Sequence, residues 1–227
     1  MSIRSQEQVA LLIDYDPGSA YSEAYHTLYA NIRFNWDSAK SKQHTLLFTT
    51  PSAYAAQSTV AANVAIAAAQ SGVPTILVDA DLRVSGLEQR FGLGKSAGLR
   101  DLLIEEALPL QKIDQYLSQT FVSGLRLLSA GSSAAGEGAS LLLSAKLQDV
   151  VQTLRQWLAE TEAKPGLVIF NAPPVLAGPD ASLIGALVEQ TILIIVKGRT
   201  TRTQAKQAQE QLQRAHTNVV GIVMLDV

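Results

Sequence analysis

The chain has 227 residues, enough to bury a sizeable core, with 47% hydrophobic and 17% charged residues and a formal charge of −2. That balance excludes a disordered chain and one that coats nucleic acid, which would need a basic footprint, and the lack of cysteine excludes disulfides and thiolate metal or redox chemistry. Residues 1–7 hold no apolar core of signal-peptide length, and no stretch approaches the ~20 apolar residues of a membrane span. The sequence is therefore read as a soluble, cytoplasmic protein with no nucleic-acid partner and no direct membrane span.

Asp16, Pro17, Gly18 and Ser19 form a turn signal ahead of a helix-like stretch at 23–33, so 1–40 reads as an N-terminal extension and helix within one domain, 1–227. Short β-rich apolar runs bounded by polar or turn residues predict buried strands at 45–48, 75–78, 167–170, 191–196 and 219–224. Helices are predicted at 61–70, which is Ala-rich, at 141–158, with apolar residues at three- and four-residue steps, and at 203–214, Gln-rich and amphipathic. Residues 130–139 read as a small-residue loop. The alternation predicts an α/β fold with a mainly parallel central sheet flanked by helices, in which ligands bind beyond the carboxyl ends of the strands.

The segment from Phe48 to Asn63 leaves a strand and enters a helix, the position of a phosphate-binding P-loop. Together with Asp79-Ala80-Asp81-Leu82-Arg83, Ala172-Pro173-Pro174 and Thr200-Thr201-Arg202, it resembles the bacterial tyrosine kinases of exopolysaccharide export, relatives of the ParA and MinD ATPases. The resemblance runs from about Ser22 to the C-terminus and implies a P-loop NTPase-like, three-layer fold using ATP and Mg²⁺. Where that family reads P-G-E-G-K-S-T, this chain has Ala53, Tyr54, Ala55, Ala56, Gln57, Ser58 and Thr59. The lysine position is thus Gln57, Tyr54 and Ala56 stand at glycine positions, and Ser58 and Thr59 remain as nucleotide-binding candidates. Losing the charge at Gln57 weakens a contact worth about 1.5–3 kcal/mol.

The resemblance makes Asp79 and Asp81 the carboxylates that hold magnesium, with Ser58, and activate the attacking hydroxyl; the alternative is that they cap the following turn or pair with Arg83. Asn171 stands where similar kinases carry a metal-orienting aspartate, and Leu225, or Asp226 if the alignment slips by one residue, where they offer an asparagine to adenine. Two phosphate-loop imitations, Gly92-Leu93-Gly94-Lys95-Ser96 and Gly136-Glu137-Gly138, read as turns, and His26, His44 and His216 lack ligand spacing. Glu23, His26 and Tyr29 fall where the family's helix carries a glutamate and two arginines that build a ring of subunits; with both arginines replaced, no such ring is expected.

The resulting expectation is a pseudo-kinase that needs no cofactor. It would serve as a regulatory or scaffold module for a membrane polysaccharide co-polymerase or an active paralogue. The alternative is a weak ATP-binding tyrosine kinase or ATPase with an altered site.

Overall fold

The computed structural model describes residues 10–36, 42–54, 57–84, 86–108, 110–131 and 141–226. In chain order its elements are α1 (Ala20–Phe34), β1 (Gln43–Thr49), α2 (Gln57–Gln70), β2 (Thr75–Asp79), α3 (Leu87–Arg90), α4 (Leu99–Ile104), β3 (Leu117–Gln119) and β4 (Leu125–Leu128). There follow α5 (Lys146–Thr161), β5 (Gly166–Asn171), α6 (Asp180–Gly185), β6 (Gln190–Val196), α7 (Arg202–Arg214) and β7 (Val219–Leu225). All five predicted strands and four predicted helices form; the helix expected over 141–158 is displaced to Lys146–Thr161.

The described strands make one sheet in the order β3-β4-β2-β5-β1-β6-β7, parallel except for β3. Every residue of β1, β2 and β5 is buried, as the near-continuous apolar runs of a parallel sheet covered on both faces require. Alternate residues feed two cores. Leu47, Ile76, Val78, Val168 and Phe170 pack with residues of α5 and α7, whereas Leu46, Phe48, Leu77, Leu167 and Ile169 pack with α2 and α1.

Helix α2 is buried along nearly its whole length because it is sandwiched between the sheet and α1. Its alanines allow that close approach on both sides. One polar residue in this layer, Asn63, does a specific job. Its Oδ1 accepts the Leu12 amide N–H at 2.9 Å and its Nδ2 donates to the Tyr21 hydroxyl at 2.8 Å, tying the N-terminal segment to the core helix. Tyr21 in turn stacks on Tyr15 and meets Tyr25 edge-on. Ser19 caps α1 by accepting the Ser22 N–H.

The chain passes from β1 through α2 to β2, yet β5 lies between those two strands, and β6 flanks β1 on the other side. This reversal opens a crevice beyond the carboxyl ends of β1, β5 and β2. Phe48 pairs with Asn171, and Asp79 pairs with Asn171 from the opposite side, so three loops converge there.

Replacing Asn63 by Ala should cost about 1–3 kcal/mol in unfolding free energy, because the buried Leu12 amide loses its acceptor. Urea unfolding of the variant checks this, and a change within a few tenths would show that the clamp carries no stability.

Candidate functional site

The loop leaving β1 is laced to the loop leaving β5. Thr49 Oγ1 donates to the Pro173 carbonyl at 2.8 Å, the Val175 N–H to the Thr50 carbonyl at 2.8 Å, and the Leu176 N–H to the Pro51 carbonyl at 3.2 Å. Gln57, only 5% exposed, sits between the two loops. Its Oε1 accepts the Thr50 hydroxyl at 2.6 Å, and its Nε2 donates to the Ala172 carbonyl. Both ends of the amide are therefore used inside the protein. Ser58 faces the adjoining cavity, whereas Thr59 is buried. Of the loop's altered positions, Tyr54 is described, and 55 and 56 lie outside the described residues.

Asp79 is fully buried at the end of β2. One carboxylate oxygen accepts Asn171 Nδ2 at 3.2 Å; the other accepts the Gly86 and Leu87 N–H groups at 3.2 and 3.3 Å. Burial pushes its carboxyl up from the ordinary 3.8 to about 7, against the lowering effect of those hydrogen bonds. Asp81 is pushed up too, first by burial, and its Oδ1 accepts the Arg83 and Val84 N–H groups at 3.1 Å each. Both acids thus cap the turn that follows β2. Asn171 Oδ1 is buried without a hydrogen-bond partner among the described residues.

Arg83 does not pair with either of these acids through its guanidinium. It crosses the crevice to Asp180, with Nη2 and Nε donating to Oδ2 at 2.8 and 3.1 Å, while Nη1 donates to the Ala177 carbonyl at 2.9 Å. The cross-link bounds a cavity of about 690 Å³ whose walls include Ser58, Asp81, Arg90, Asn171, Pro173 and Leu87. Its lining residues come from the ends of β2 and β5, the loops after β1, β2 and β5, the start of α2 and from α3. Toward β6 and β7 the contacts close instead. The Arg199 guanidinium lies 5.5 Å over the Tyr54 ring, and Lys197 pairs with Asp226 at 2.7 Å beside Leu225.

Asp79, Asp81, Asn171, Gln57 and Ser58 are thus brought together, and the sequence missed Arg83–Asp180 and Arg199–Tyr54, pairs far apart in the chain with no spacing signal. The assembly candidates are distributed around α1: Glu23 is exposed, His26 half-buried, and Tyr29, 3% exposed, packs edge-on to Trp36 in the chain's own core. Gly92 sits in a turn at φ +64°, and residues 93–98 run without regular structure into α4, as the turn reading expects; 136–138 lie outside the described residues. His44 pairs with Glu189 at 2.9 Å and stacks on Trp36. Among the described residues, no group of three or more His, Asp or Glu is placed to hold a metal ion, and no helix is long and apolar enough to cross a membrane.

The raised carboxyl of Asp79 sets a pH dependence. Below the ordinary pKa the group is neutral whether folded or unfolded. As pH rises toward about 7 the unfolded chain ionises first, so the native state loses stability, at up to about 1.4 kcal/mol per pH unit. Asp79→Asn should therefore gain stability relative to the unmodified chain between about pH 5 and about pH 8. Urea unfolding across that range checks this; parallel profiles would mean that Asp79 ionises normally.

No family model matches the chain. It is 30% identical over 209 residues to the tyrosine-protein kinase YwqD of Bacillus subtilis (strain 168), covering 92% of this chain and 82% of that protein. It also matches the putative tyrosine-protein kinase EpsB of Ralstonia nicotianae at 30% identity, spanning 23% of that longer protein. Among solved structures, the BceF tyrosine kinase domain superposes with a TM-score of 0.78 at 25% identity over 98% of this chain and 84% of that one. The Pyrococcus horikoshii septum site-determining protein MinD, complexed with Mg-ADP, superposes at 0.61 and 19% identity over 80% of this chain and 70% of that one, a likeness of P-loop fold. The crevice with its strand-end acids, the fold around it and the YwqD match agree: the chain belongs to the bacterial tyrosine-protein kinase family.

Proposed function

We propose that this chain is a catalytically silent family member, a regulatory or scaffold module in exopolysaccharide biosynthesis or export. It would act by contact with a membrane polysaccharide co-polymerase or an active paralogue. The observation that carries this reading is the engagement of Gln57. At the position where a family loop presents a lysine to phosphate, a neutral amide is turned inward and satisfied at both ends by Thr50 and Ala172.

The residues present do not fit a magnesium nucleotide. Asn171 supplies no charge to a cation and instead donates to Asp79, whose own carboxyl is held up near 7 by burial. The cavity walls are largely apolar, and the Arg199–Tyr54 stack lies across the way from the loop after β1 toward β6. Arg83, a cation at the rim, is committed to Asp180.

Phosphoryl transfer depends on positioning and charge neutralisation, so each loss counts. At ~2 kcal/mol for each of three losses, the loop glycines, the lysine replaced by Gln57 and the aspartate replaced by Asn171, the site falls short by about 6 kcal/mol, more than ten-thousand-fold in rate. The isolated chain should show no magnesium-dependent autophosphorylation or ATP turnover, and Gln57→Lys alone should not restore either. A phosphotyrosine blot and a phosphate-release assay test this; activity that Asp79→Ala abolishes would overturn the reading.

A further inference from the structure

The hydrogen bonds that close the crevice to a charged nucleotide do not fill it. Beyond the carboxyl ends of β1, β2 and β5 a cavity of about 690 Å³ remains, within the size range of pockets that take small organic ligands. Much of its wall is apolar: Ala53 from the loop after β1, Val84 and Leu87 from the segment after β2, and Pro173, Pro174 and Ala177 from the segment after β5. Leu87 and the two prolines are buried, whereas Val84 is 78% exposed, an apolar side chain left in water beside an apolar cavity.

The charged groups of the wall are matched to one another. Arg83 is held by Asp180, and the half-buried Arg90 has the Asp79 carboxyl as its electrostatic neighbour. Asp81 accepts the Arg83 and Val84 N–H groups. An entering anion would meet Asp79 and Asp81, and a cation would meet Arg83 and Arg90, so charge of either sign is disfavoured in this apolar surround. Two polar groups are left for a neutral molecule. Ser58 is half-buried at the wall, and Asn171, 3% exposed, lines the cavity with its Nδ2 committed to Asp79. Asn171 Oδ1 has no hydrogen-bond partner among the described residues, and a buried carbonyl oxygen without a donor carries a cost that a ligand N–H removes.

We infer that the crevice is a binding site for an uncharged, mainly apolar small molecule that carries an N–H donor. Its body lies against Leu87, Pro173 and Pro174, and its N–H is directed to the Asn171 amide oxygen. The inference deepens, and rests on, the reading of the crevice as closed to magnesium nucleotide. Apolar walls supply the affinity, and the few polar groups fix orientation and selectivity. An occupant touches segments that leave three different strands, which gives a regulatory module a means of sensing it.

Amide NMR of the full, nitrogen-labelled chain tests this with matched probes: indole, 1-methylindole, which lacks the N–H, and indole-3-acetate, which adds a carboxylate. Indole should shift the resonances of residues around the cavity, 1-methylindole should bind about fivefold or more weakly, and indole-3-acetate should shift nothing at the same concentrations. Ala177→Phe, at an exposed position of the wall, should fill the cavity and abolish the indole shifts while thermal unfolding stays unchanged; if that variant does not fold, the probe series decides alone. Magnesium ATP should shift nothing; if it binds, the reading beneath the inference falls and the inference with it. Silence toward indole while ATP is also silent overturns the inference alone. So do equal binding of indole and 1-methylindole, binding of the acetate as tight as that of indole, and indole shifts that persist in Ala177→Phe.

Discussion

A neutral amide held between two loops organises the crevice of this protein. Gln57 accepts from Thr50 after β1 and donates to Ala172 after β5, joining the two central strands just beyond their carboxyl ends. The next residue back along β5, Asn171, makes the matching contact with Asp79 of β2. The last residue of β5 and the one after it thus connect this strand to both neighbours through side-chain amides. Buried amides with partners on each side are close to cost-free, whereas a buried charge without a partner is costly. The arrangement is self-sufficient: the Thr50–Gln57–Ala172 chain needs no bound ion to neutralise it.

Hydrogen bonds among the surrounding loops reinforce the crevice. Thr49, Thr50 and Pro51 are bonded to the β5 exit loop, and Arg83 spans to Asp180 and the Ala177 carbonyl. Behind the loop, α2 is clamped by the sheet on one side and by α1 on the other, with Asn63 securing the N-terminal segment. Burial pushes the carboxyls of both Asp79 and Asp81 up, and Asp79 is held there by the Asn171 side-chain amide and the Gly86 and Leu87 N–H groups.

Much of this was legible in the sequence where the signal was local. The β-branched run of β6 and the apolar runs of β1, β2, β5 and β7 announced strands, and their alternation with helices gave the parallel sheet. The loop after β1 was placed by motif order, as were Asp79 and Asn171, which the structure puts opposite each other on neighbouring strands. What escaped was short or non-local. Strand β4, Leu-rich with Arg126 in its middle, has little β signature, and β3 is three residues long. Helices α3, α4 and α6 are too brief for a periodicity to show. The inward turn of the Gln57 side chain was invisible because its acceptor, Ala172, offers only a backbone carbonyl, which sequence does not mark.

The central claim is that the crevice is closed to magnesium nucleotide by its own hydrogen bonds. Calorimetric titration of the unmodified chain with ATP, with and without Mg²⁺, measures this directly. The account predicts no binding heat at millimolar nucleotide in either condition. Tight, magnesium-dependent binding would contradict it.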